Sequence, residues 1–319
     1  MKRMRRSRGL LWSAAVVAGF ALGLVLPGCP SPSEPGGGQQ PKESDKGAET
    51  RRPEPAAGGQ VKPEPPAKPE SKPESKPEAK SEGAAGAADV PPAPKVSSFA
   101  PAEDVAYQMD KYIRDMEKGT AAESDYKELS EGEVSQTGST MVLLAVALGL
   151  SDQDNKYKAQ AGALVAACQK LAAAKDYAAT KKAVAGVVAA AKEGQPSGEV
   201  KWARLADLKD LMKQVPRVNT KLKSNLNHLG TKAKEAAANV ATLAVIAQGA
   251  MADVADTRKP AESQKWFVFS TEMREAAAAV NASIRVKNQK AVEESMDRLQ
   301  KSCDDCHAVF KEEEKKPDK

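Results

Sequence analysis

Val292-Glu293-Glu294-Ser295-Met296-Asp297-Arg298-Leu299-Gln300-Lys301-Ser302-Cys303-Asp304-Asp305-Cys306-His307-Ala308-Val309-Phe310 is the stretch on which the fold class turns. Val292, Met296, Leu299, Cys303, Cys306 and Phe310 recur in it at spacings of 4, 3, 4, 3 and 4. Steps of three and four return a side chain to one face of an α-helix, so the period predicts an amphipathic helix with one buried stripe. Cys303-Asp304-Asp305-Cys306-His307 also has the form C-x-x-C-H, the attachment signature of c-type haem. Two thiols three positions apart can each form a thioether with one haem vinyl group. His307, four residues after Cys303, shares its face and is the axial donor to iron.

Two other chemistries use similar residues. A thioredoxin-like redox pair expects a βαβ context, and no strand alternation precedes Cys303. A structural zinc site usually needs four nitrogen or sulfur ligands. Outside the motif the chain has only Cys29, Cys168 and His228, with no paired spacing. The motif therefore reads as the site of one covalent haem c.

The N-terminus reads as an export signal over residues 1–28. Lys2, Arg3, Arg5, Arg6 and Arg8 form a charged region, and Leu10 to Leu26 an apolar one. Leu26-Pro27-Gly28-Cys29 resembles the lipobox of bacterial lipoproteins, which implies lipidation of Cys29 and a membrane anchor. An uncleaved anchor helix or ordinary cleavage would equally put the body outside the cytoplasm, where covalent haem attachment also belongs. The leader's five basic residues account for the whole formal charge of +5, so the mature side chains are near neutral and make no electrostatic case for nucleic acid.

Residues 29–100 read as a tether. Lys-Pro-Glu and Ser-Lys-Pro-Glu units recur between Val61 and Lys80, flanked by Gly and Ala runs, with too few apolar residues for a core. A flexible chain of roughly 70 residues has a mean reach of about 45–50 Å. Residues 314–319 read as a solvated tail.

The body between them is rich in Ala, Leu, Lys and Glu and predicts an all-α fold. Its two halves look alike. Leu144-Ala145-Val146-Ala147 parallels Leu243-Ala244-Val245-Ile246, and Asp104 to Met109 parallels Asp207 to Met212. The counterpart of the haem helix is Tyr177 to Lys192, which has no C-x-x-C-H. The expectation is a duplicated antiparallel four-helix bundle, with a haemless copy over residues 101–195 and a haem copy over 199–313. Gly194-Gln195-Pro196-Ser197-Gly198 marks the break. In the second half, helices are expected over Glu199–Val215, where Pro216 kinks or ends the first, then Thr220–Val254, then from Pro260, then the haem helix. Cys168 reads as a small buried hydrophobe, and Trp202 and Trp266 as packing residues.

C-x-x-C-H in the last helix, followed by Phe310-Lys311, resembles the class II c-type cytochromes, the cytochrome c′ and cytochrome c-556 group. Ala206-Asp207-Leu208-Lys209-Asp210-Leu211-Met212 is similar to the first helix of cytochrome b562, whose axial methionine occupies that position. The resemblance covers about residues 200–311. It implies a four-helix bundle with His307 as proximal ligand, Met212 as sixth ligand, redox partner proteins, no bond-making catalysis and an occasional homodimer. Met212 also fits the core seam as a packing residue, and His228 is a second candidate donor. A vacant sixth position would instead make the protein a cytochrome c′-like binder of NO or CO. A third reading makes it a scaffold lipoprotein, docking partners through the haemless half.

Overall fold

The computed structural model describes residues 90–130, 132–193 and 198–311. The leader, Cys29, the tether up to residue 89, residues 194–197 of the break and the tail over 314–319 lie outside the described residues. Among the described residues the regular structure is helical, with no strand. In chain order the α-helices are α1 Ala102–Gly119, α2 Glu123–Glu128, α3 Glu133–Leu150, α4 Ala161–Ala173, α5 Tyr177–Glu193, α6 Leu208–Leu226, α7 Leu229–Ala250, α8 Ser263–Arg285 and α9 Gln289–Phe310. Short 3-10 segments precede α1 and join α7 to α8.

The centre belongs to α3 and α7. Residues 136–148 of α3 and 236–250 of α7 are buried on every face. A helix that is apolar all round must be enclosed by others, and these two are. Both are long and apolar enough to cross a membrane by length and composition, yet 78% and 94% of the relevant windows are buried within the body. Two of their hydroxyls are satisfied within the helix: Thr140 donates to the Gln136 carbonyl and Thr242 to that of Ala238, each at 2.8 Å. Around them α4, α5, α6, α8 and α9 are amphipathic and bury one stripe each.

Packing follows chain order and then crosses between halves. In the first half α3 packs on α4, α4 on α5, and α1 on both α3 and α5. In the second, α6 packs on α7, α7 on α8 and α8 on α9. Across the middle α1 meets α7, α3 meets α6, and α3 meets α7. One continuous hydrophobic core runs through both halves, from Val96 and Met109 through Leu144 and Val240 to Leu299. Polar bonds cross the same boundary. Gln214 of α6 donates to the buried Tyr112 hydroxyl of α1 at 3.0 Å. Arg285 of α8 reaches Asp104 of α1 at 2.7 Å and Glu103 at 2.6 Å.

Several boundaries differ from the sequence reading. The packed body starts before residue 101, because Val96, Phe99 and Ala100 are already buried. The Phe99 ring lies under the Arg274 guanidinium, 5.6 Å away. The helix expected over Glu199–Val215 begins at Leu208, where Asp207 caps it by accepting from the Asp210 backbone N–H at 3.0 Å. It neither stops nor breaks at Pro216 but continues to Leu226. Pro216 is exposed, so its ring meets solvent, and the cost is one missing helical donor for the Met212 carbonyl. The turn into α7 is therefore Asn227-His228, not the segment after Pro216. At the far end, Lys287 adopts a left-handed φ of 52° to close α8, and Asn288 caps α9 by accepting from the Ala291 N–H at 3.1 Å.

Candidate functional site

The stripe read in α9 is the face it buries. Val292, Leu299 and Phe310 are buried, and Met296, Cys303 and Cys306 are half-buried. Leu299 joins the main core, while Phe310 anchors a second, smaller cluster at the end of the body. This cluster joins Met251 and Val254 after α7, Trp266 and Phe267 of α8, and Phe310 of α9, with Leu208, Met212, Phe269, Cys306 and Val309 packed against it. The Phe310 ring meets Trp266 edge-on at 5.3 Å and Phe269 at 6.3 Å. Trp266 satisfies its indole N–H on the Ala250 carbonyl at 2.9 Å, so this aromatic wall is fixed in orientation.

Cys306 and Met212 thus border the same apolar cluster, one from α9 and one from the first turns of α6. The helices that carry them do not pack closely on each other, although α8 holds α9 and α7 holds α6. In the first half α1 and α5 do pack together. Met109 of α1 is fully buried, whereas Met212 is half-exposed.

Burial sets the ionisation of the donors. It raises the Cys303 thiol above its ordinary value and pushes that of Cys306 up to about 11, with the neighbouring Cys303 adding to the second. Both thiols are protonated at neutral pH and free of any disulfide. His307 lies at the surface end of the site, its pKa lowered first by desolvation and then by Lys311. The imidazole is neutral at pH 7, the form that ligates a metal. The acidic residues between the cysteines face outward: Lys301 holds Asp305 at 2.7 Å, and Gln300 donates to Asp304 at 3.0 Å.

These residues suit a covalent haem. Two reduced thiols share one helical face, an exposed neutral imidazole follows, Cys306 packs against the aromatic cluster, and α6 and α9 do not pack closely. Among the described residues no three or more His, Cys, Asp or Glu side chains gather into a metal cage. A porphyrin does not call for one, since its own nitrogens surround the iron and the chain supplies axial donors only.

The remaining candidates lie elsewhere. His228 is exposed at the turn beyond the C-terminus of α6, about 24 Å along the helix from Met212. Cys168 is fully buried in α4, with its thiol pushed up to about 12 by desolvation, and is inert. Cys29 lies outside the described residues. Sequence reasoning missed Asp253, a buried carboxylate next to the cluster, with one oxygen lacking a hydrogen-bond partner. Three surface pockets line α6 on its other flanks, and none is bordered by Cys303, Cys306 or His307. A comparison with protein-family models, curated proteins and solved structures finds no match for this chain.

Proposed function

We propose that the chain is an extracytoplasmic mono-haem c-type cytochrome that passes single electrons between redox partner proteins. The observation that carries this reading is a contrast between equivalent helix pairs. α1 and α5 pack together, whereas α6 and α9, which bear Met212 and C-x-x-C-H, stand apart beside an apolar cluster. A flat macrocycle tethered to Cys303 and Cys306 would fill that side. When bound, the haem supplies one-electron exchange between Fe(II) and Fe(III). Cys303 and Cys306 would hold it through thioethers, and neutral His307 would be a donor to its iron. Met212 would be a second donor, and the Trp266–Phe310 wall would give the group an apolar neighbour. No substrate bond is made or broken, so the protein is not an enzyme.

The finer architecture belongs to the same proposal. α6 to α9 form an antiparallel four-helix bundle, and α1, α3, α4 and α5 are its haemless duplicate. The exchange of contacts supports it: α1 on α7 and α3 on α6 are one pairing related by swapping the halves. Lipidated Cys29 anchors the body to a membrane through the tether, on the periplasmic or other extracytoplasmic face.

Visible and EPR spectra of the matured protein, with and without CO, test the reading alongside Met212→Ala. The expected result is a low-spin wild type indifferent to CO and a high-spin, CO-reactive variant. A high-spin wild type that binds CO directly would make the protein a cytochrome c′-like gas binder. A matured chain without covalent haem would overturn both readings.

A further inference from the structure

The seam between the halves holds a polar cavity that the haem reading does not use. It lies between α1, α6 and α7 and has a volume of about 590 Å³. Small-molecule sites commonly occupy roughly 300–1,000 Å³. At its floor is Asn239 of α7, a residue only 3% exposed. Its side-chain amide has no hydrogen-bond partner among the described residues and opens into the cavity. Its polar atoms reach the cavity, so water or a ligand there takes its hydrogen bonds.

The walls are cationic. Lys111 and Arg114 come from α1, Lys221 from α6 and Lys232 from α7. Two carboxylates share the lining, and each is taken: Asp115 by Lys111 at 2.7 Å, Glu235 by Lys232 at 3.0 Å. Arg114 and Lys221 have no ion-pair partner among the described residues. Lys221 lies close enough to Glu133 to help lower its carboxyl pKa without pairing with it, so two cations from different halves face one concavity beside the Asn239 amide. With Asp115 and Glu235 offset by Lys111 and Lys232, the lining keeps a net positive charge that favours an anion.

We propose that this cavity binds a small polyanion with two or more oxyanion groups, such as a phosphorylated or polycarboxylate compound, and that the bound anion ties α1 to α6 and α7. The Arg114 guanidinium presents a planar fork to one oxyanion group. Lys221 supplies a point charge to the second. The Asn239 amide N–H donates to an oxygen that reaches the floor. The recess excludes a broad macromolecular surface, because the amide lies beneath the charged rim. The inference stands on the seam alone and is independent of the haem.

Calorimetric titration of the full-length protein with pyrophosphate and, separately, citrate in about 0.15 M chloride tests this. Saturable binding of one anion per chain is expected, with a thermal midpoint that rises with ligand. Arg114→Gln, Lys221→Gln and Asn239→Ala should each weaken binding by about tenfold or more. The control, Lys290→Gln on the exposed face of α9, should leave it unchanged. Arg114 and Lys221 are exposed, so their variants keep the native circular dichroism. Binding of pyrophosphate alone assigns a phosphorylated ligand, and of citrate alone a polycarboxylate. No saturable binding of either anion, or equal binding by all variants, would overturn the proposal.

Discussion

Met212 and Cys306 come from helices that barely touch, yet both rest on the cluster around Trp266 and Phe310. Beside that cluster Asp253 is 2% exposed, and its pKa is pushed up to about 7 by desolvation, then by Asp256, against a smaller pull from Arg204. An acid raised in the folded state costs nothing while both states are protonated. Its penalty grows as pH rises past the ordinary aspartate value near 4 and is complete above about 7. Asp253→Asn is therefore expected to match the wild type at pH 4 and to exceed its stability by about 1–3 kcal/mol at pH 8. Urea unfolding across that range measures the difference, and a constant offset at all pH values would refute it. The helix that carries Cys303, Cys306 and His307, and the face it buries, were legible in the sequence because apolar residues recur there at helical spacing. Asp253 was not, since its titration depends on Asp256, Arg204 and Asp207, which only the folded chain gathers.

At the scale of elements, α3 and α4 meet through a missing side chain. A Cβ on Gly138 would stand 2.6 Å from the Ala172 backbone nitrogen and 2.8 Å from its Cα. Backbone cannot swing aside as a side chain can, so the helices would have to part. Gly138→Ala is expected to cost about 2–3 kcal/mol, read as a lower urea midpoint at an unchanged slope. The run Met141 to Leu148 announces a buried helix in the sequence, but the close approach at Gly138 depends on which helix lies opposite. α6 shows the reverse error. Pro216 is the strongest local punctuation in its neighbourhood, yet the helix runs through it. Leu211, Val218 and Leu222 are all buried on one stripe that spans the proline, and that packing outweighs one lost backbone bond. The true turn, Asn227-His228, carries neither Gly nor Pro and gave little signal.

Across the whole molecule, what joins the halves is partly ionic. Asp104 is 4% exposed and accepts from Arg285 at 2.7 Å and from Asn281 at 2.8 Å. Arg285 also donates to the Asn281 side-chain carbonyl at 2.9 Å, and Asn281 donates to the Ala237 carbonyl at 3.0 Å, so α1, α7 and α8 are bound in one network. Arg285→Met would leave the Asp104 carboxylate buried with a single amide donor. The expected loss is about 2–3 kcal/mol, below the cost of breaking a fully buried pair because the guanidinium is partly solvated. Because the core is continuous, chemical denaturation of that variant should remain one transition, and two separated transitions would show that the halves are independent. That Leu144–Ala147 and Leu243–Ile246 lie in buried helices was legible in their apolar runs. How the halves meet was not, since α1 on α7 and α3 on α6 are contacts about a hundred residues apart. One consequence concerns the order in which the chain can be completed. α9 is last in sequence and packs mainly on α8, so α1 to α8 can assemble before the cysteines arrive. The final helix can then leave by the Lys287-Asn288 turn only by re-exposing Val292, Leu299 and Phe310, a local opening that bares both thiols while α1 to α8 keep their mutual contacts.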